Sequence, residues 1–210
     1  AALDKIGGLD ALGTNKVENM YHAGWAWAGS TPFKSTKLVA AHFGGTRNPM
    51  VISWPKGITP DKKIRNQFLH VNDIAPTLYD ILNIPHPKVV NGFKQDPIDG
   101  KSFTATFTDA NAETLKKTQF FDNNGSRGVY HDGWFASTFG PLYPWVPAQK
   151  GLADWNSDND DWQLYDLSKD FSQSNDLSQQ YPKKLAEMKK LFIAESKENK
   201  NSPIGAEIWL

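Results

Sequence analysis

Lys34, Lys37 and Arg47 flank the dipeptide Gly44-Gly45. Backbone N–H groups can approach a ligand closely at such a turn, and cationic side chains beside it suit an anion. A solvated loop would account for the same lysines equally well on spacing alone. Asp154, Asn156, Asp158 and Asp160 alternate like the start of a calcium loop. That loop needs Gly at its sixth position and Glu at its twelfth, and the chain has Asn159 and Tyr165 there. The run therefore reads as a solvated acidic loop. His22, His42, His70, His86 and His131 show no metal-ligand spacing and read as structural or surface residues. Cysteine is absent, which excludes disulfides, zinc-thiolate sites and thiol nucleophiles together. No G-x-S-x-G elbow, P-loop or dinucleotide fingerprint occurs.

The elements that must position these residues belong to a chain of 210 residues, room for one generous domain or two small ones. Lys and Arg (23) balance Asp and Glu (23), so no global field recruits nucleic acid or an anionic membrane. No apolar run approaches the roughly 18–20 residues of a membrane span. The opening Ala1-Ala2-Leu3-Asp4 has no initiator Met and no signal segment, and is expected to be a processed end or part of a longer chain. Composition does not fix the compartment; a periplasmic or secreted location is preferred over the cytoplasm. The tryptophans cluster as Trp25/Trp27, Trp134/Trp145 and Trp155/Trp162, a pattern expected of core or seam packing.

Residues 1–30 read as loop with a short helix. Met50-Val51-Ile52-Ser53-Trp54, stopped by Pro55, reads as a buried strand. A helix follows, capped by Asn72 or Asp73, with Pro76 in its first turn and Leu78, Ile81 and Leu82 at helical spacing. Residues 84–114 read as loop with an Asp99-Gly100 turn. Strands are expected at 119–121, 128–131, 134–138 and 162–167, with Asp132-Gly133 as a hairpin turn. Residues 140–161 form a Pro-, Gly- and Asp-rich excursion. Pro182 starts a helix with Leu185, Met188, Leu191 and Phe192 on one stripe. One strand and one helix are half of an α/β repeat; the second half is a small antiparallel sheet covered by a helix.

These residues bear a resemblance. The stretch from Gly24-Trp25-Ala26-Trp27 through Thr31-Pro32-Phe33-Lys34-Ser35-Thr36-Lys37 and His42-Phe43-Gly44-Gly45-Thr46-Arg47-Asn48-Pro49 resembles a segment of bacterial arylsulfatases. Val71-Asn72-Asp73-Ile74-Ala75-Pro76-Thr77-Leu78 and Asp99-Gly100-Lys101-Ser102-Phe103 look like the helix and follow-on of that family. Ser126-Arg127-Gly128-Val129-Tyr130-His131-Asp132-Gly133-Trp134 looks like the hairpin of its C-terminal subdomain. Leu164-Tyr165-Asp166-Leu167, Asp170 and Asn175-Asp176-Leu177 look like its closing segment. Five motifs in the family's order cover nearly the whole chain.

The resemblance implies an α/β parent fold related to alkaline phosphatase. This chain would supply a partial α/β segment over 1–100 and a C-terminal α+β subdomain, with a small antiparallel sheet and terminal helix, over 101–210. It implies sulfate-ester hydrolysis of the arylsulfatase type, through a formylglycine nucleophile and a divalent cation, usually calcium. Lys37 matches the family's sulfate-contacting lysine, a catalytic and substrate-binding role, and Lys34 is the second substrate-binding candidate. Ser30-Thr31-Pro32-Phe33-Lys34 imitates the serine nucleophile motif but has Lys34 in place of its Arg. The Asp-Asn metal pair is also missing from its expected place, and Asp158-Asn159 sits in the wrong subdomain. Nucleophile and calcium ligands are thus expected upstream of Ala1, with no metal or cofactor held by this chain alone. The expected partners are a sulfate ester and the upstream portion of the same protein, without nucleic acid or membrane. The alternatives are a noncatalytic binding or assembly module on a sulfatase scaffold, and part of a related phosphonate or phosphodiester hydrolase.

Overall fold

The computed structural model describes residues 3–17, 21–142, 152–201 and 204; Trp145 and part of the 140–161 excursion lie outside them. The first half carries short helices, α1 (Ala23–Ser30), α2 (Phe43–Thr46) and α3 (Ile74–Ile81). Strands β1 (Val89–Val90) and β2 (Phe93–Lys94) form a small hairpin, and α4 (Ala105–Thr108) follows. The second half holds β3 (Thr118–Asn123), β4 (Ser126–His131), β5 (Trp134–Thr138), β6 (Gln163–Asp166) and the terminal helix α5 (Pro182–Glu198). Its four strands make an antiparallel sheet in the order β3-β4-β5-β6.

Two-residue turns set the register. Asn124-Gly125 and Asp132-Gly133 all have positive φ, the geometry whose twist matches the flanking strands. Side chains alternate between the two faces of a strand, so that register fixes both faces of the sheet. One row, Val129, Ala136 and Leu164, packs against Met188 and Phe192 of α5. The neighbouring row, Tyr130, Phe135 and Tyr165, faces the other way and packs against Phe43. Gly128 belongs to that second face, where an added Cβ would sit 2.8 Å from the Phe135 ring. The sheet is thus covered by the terminal helix on one side and by the segment carrying Lys34 and Lys37 on the other.

The first half departs from its sequence pattern. Residues 50–54 form no strand, and Val51 is 93% exposed. An apolar run becomes a strand only where a neighbour takes its N–H and C=O groups, and none of the described residues does so. Helix α3 forms, but Leu78 and Leu82 point to water while Thr77 is buried. Asp73 stands at its N-cap position as expected, but its side chain makes no capping hydrogen bond there. His70 caps the preceding turn, its ring accepting from Asn72 N and its own N–H donating to Asp73 at 2.7 Å. Trp25 and Trp27 are exposed rather than packed. Trp134 and Trp162 do pack against the α5 side of the sheet.

What the polar face of α3 buries is the Asp99-Gly100-Lys101-Ser102-Phe103 segment. Asp73 is fully buried, accepts from Lys101 N at 2.8 Å and pairs with Lys116 at 3.2 Å. Thr77 Oγ1 accepts from Phe103 N, and Asp80 accepts from the Ser102 and Thr104 hydroxyls. A Cβ on Gly100 would run into the Asn72 carbonyl. The two motifs are therefore a docked pair, held by polar contacts.

Candidate functional site

Residues 33–47 fold into a tight knot against the sheet. Gly44 N donates to Lys34 O at 2.9 Å. A side chain on Gly44 would strike the carbonyls of Lys34 and Ser35, and one on Gly45 those of Thr36 and Val39. The glycine pair is thus required by close backbone approach, and it brings the 34–39 loop down onto α2. Ser35, with φ 64°, is buried and its hydroxyl lies 2.8 Å from His42 Nδ1. Val39, Ala40 and Ala41 are buried after it.

The two lysines of this loop have different surroundings. Lys34 is half-buried and donates to Tyr165 Oη at 3.1 Å; Tyr165 Oη in turn donates to Gln163 Oε1 at 2.7 Å. Burial lowers the pKa of Lys34, opposed by the Asp170 and Asp176 carboxylates. Burial also depresses His42 to about 4, with the nearby Lys34 cation adding to the effect and a Gln163 contact opposing it. Burial raises the Tyr165 phenol in the same pocket, as do Asp176 and Asp170. Lys37 is exposed and makes no side-chain hydrogen bond or ion pair among the described residues. It stands between buried Ser35 and buried Val39, in a turn closed by Val39 N donating to Thr36 O at 3.4 Å.

Arg47 does not join them. Its guanidinium lies 3.9 Å from the centre of the Phe171 ring, near Phe33 and Phe43 as well, and bonds the Phe171 carbonyl. The third cation of the sequence cluster thus braces the knot.

The acidic run also has a packing role. Asp160 pairs with Arg127 at 2.8 Å and accepts from Trp155 Nε1, while Asn156 caps the Asp158 N–H. Arg127 is almost fully buried and also donates to the carbonyls of Gly125 and Ser157. Its guanidinium lies over Trp155 and Trp162. With Asp160 committed to Arg127, these donors do not fit a calcium cage. Among the described residues no group of three or more His, Cys, Asp or Glu side chains is placed to hold a metal ion.

Residues 41–199 match the family described as N-sulphoglucosamine sulphohydrolase, C-terminal. The chain belongs to this sulfatase C-terminal family. Lys34 and Lys37 lie just before the matched span. An uncharacterized sulfatase of Schizosaccharomyces pombe is 29% identical over 187 residues, which cover 86% of this chain and 30% of that protein. The chain thus spans under a third of the length of the curated sulfatase it matches. A solved Bacteroides thetaiotaomicron protein, described with the metabolism of multiple glycosaminoglycans, superposes with a TM-score of 0.54 at 23% identity. It covers 76% of this chain and 31% of its own. The structure of Ps i-CgsB in complex with k-i-k-neocarrahexaose gives 0.56 at 22% identity, over 79% of this chain and 32% of its own. These two share the fold.

Two residues that engage the lysine segment are not site candidates in the sequence reading, although both fall within its closing-segment motif. Gln173 is fully buried and bonds the backbone at both Ala41 and Phe43. Tyr165 sits under Lys34, although from sequence it is only one apolar position of a strand. What could have pointed to Gln173 is its place between Asp170 and Asn175, inside a family motif.

Proposed function

We propose that this chain is the C-terminal region of a sulfate-ester hydrolase of the arylsulfatase type, and that it brings Lys37 to the substrate. The observation behind this reading is the pairing of a fixed loop backbone with an unengaged ammonium at Lys37, next to a lysine already committed to Tyr165. An ammonium held there meets a sulfate oxygen as a point charge and favours the charge that builds on the departing oxygen. Lys34 acts beneath it, bracing the loop against the sheet and adding positive potential to the same face. The nucleophile and calcium of this reaction belong to the remainder of the protein, and no step assigned to this chain passes through the ion.

The exposed apolar residues of the first half fit the same reading. Val51, Ile64, Val71 and Phe93 are all more exposed than not. In this proposal they form the face on which the rest of the sulfatase packs. The test is aryl sulfate turnover by the isolated chain and by the full-length protein, both with calcium. The isolated chain is expected to show background rates, and the full-length protein to turn over. Reproducible turnover by the isolated chain would overturn the division of labour.

A further inference from the structure

We infer that Gln173 is a positioning residue for the lysine loop, an inference that rests on the assignment of Lys37 to sulfate contact. The loop between β6 and α5 presents it. Asp170 accepts from the backbone N–H groups of Ser172, Ser174 and Asn175 at 3.2, 3.0 and 2.8 Å. That wraps the chain around the carboxylate and places Gln173 at φ 58°, a left-handed conformation rarely adopted without a local cause. Asp176 ties the other end of the turn to the sheet by accepting from Leu164 N at 3.0 Å.

From that turn the Gln173 side chain reaches the lysine knot. Its Oε1 accepts from Phe43 N at 2.7 Å, and its Nε2 donates to Ala41 O at 3.0 Å. One backbone group is a donor and the other an acceptor, so the side chain must both accept and donate, as a neutral amide does and an ionised carboxylate or an apolar side chain does not. Ser126 Oγ accepts from Ala41 N on the same segment, at 3.1 Å. Residues 41–45 are in turn the seat on which the 34–39 loop rests, through Gly44 N to Lys34 O and the close approach at Gly45. Gln173 therefore links the closing segment of the sulfatase domain to the backbone that carries Lys37, although it touches neither lysine's side chain through these bonds.

The amide requirement makes the role separable from simple packing. Gln173→Glu keeps shape but, when ionised, sets a carboxylate against the Ala41 carbonyl. When protonated, its O–H can donate to that carbonyl again, and burial favours the protonated form. Gln173→Met keeps volume and removes both bonds. In the full-length protein, Gln173→Met is expected to lower kcat for an aryl sulfate by about ten- to a hundredfold, and to speed Phe43 amide exchange by about tenfold. The kcat of Gln173→Glu relative to wild type is expected to approach one near pH 5 and to fall as pH rises toward 8. A pH-independent ratio near one, with Phe43 still protected, would overturn the inference. So would loss of folding in both variants at every pH, which would make Gln173 a stability residue only. Lys37→Ala is assayed alongside: if it turns over normally, the lysine assignment fails, while Phe43 exchange still reports on the clamp.

Discussion

In the four-stranded sheet Val129, Phe135 and Leu164 have no exposed surface, whereas Val51, Leu78 and Leu82 in the first half stand more than half in water. All six occupy apolar positions in runs that read from sequence as strands or a helix. What separates them is a partner. The sheet brings its own, because two short turns fold β3, β4 and β5 onto one another, β6 from further along the chain pairs with β5, and α5 closes one face. The runs of the first half have no such neighbour among the described residues. Residues 33–47 do have one, since Phe43 packs into the second sheet face and Gln173 bonds the backbone beside it, and so does Phe68, which stacks on Tyr130. The part of the first half with candidate chemistry is therefore among the parts that the second half holds in place.

The largest expected stability effect lies in the sheet. Arg127→Ala leaves Asp160 without its buried partner and should cost about 3–5 kcal/mol in urea unfolding; a cost below about 1 kcal/mol would break the contrast between the halves. Gly44→Ala comes next. Its methyl meets backbone carbonyls that cannot swing aside, so about 1–3 kcal/mol should be lost, and an unchanged urea midpoint would show that the knot is not tight.

A pH effect is expected at His42. Its folded pKa, about 4, lies below the ordinary 6.5, so the unfolded chain binds the proton more readily between those values. Stability should fall as pH drops from about 6.5 toward 4, and His42→Gln should flatten that slope. An unchanged slope in the variant would contradict the burial of His42. The smallest effect belongs to Val51→Ser, within about 0.5 kcal/mol in the isolated chain. The same change in the full-length protein should cost about 1.5–3 kcal/mol if that side chain is covered there, which melting of both proteins would measure.

How much of this could be read from sequence follows the same division. The Asp132-Gly133 hairpin, the strand at 134–138 and the helix starting at Pro182 all appear where local pattern places them. Local turn chemistry suffices for the hairpin, whose partner strand follows directly, and helical spacing suffices for the helix. Asn124-Gly125 and Asn91-Gly92 also close hairpins, the second within residues 84–114, which are expected from sequence to be loop. The strand expected at residues 50–54 is absent because pairing is a property of two segments. Lys34 and Lys37 look alike in sequence. Only the fold shows that Tyr165, 131 residues away, engages the first. Gln173 was hidden for the same reason: its bonds reach back 130 and 132 residues, and no local pattern encodes them.

The different roles of the two lysines can be measured directly as kcat for an aryl sulfate in the full-length protein. Lys37→Ala should lose about two to three powers of ten, the usual cost of removing one charge-stabilising donor. Lys34→Ala, which removes a brace that Gln173 and the glycine pair partly duplicate, should lose less than about tenfold. Near-wild-type turnover in Lys37→Ala, or a larger loss in Lys34→Ala, would contradict the assignment of Lys37 as the substrate contact and Lys34 as its support.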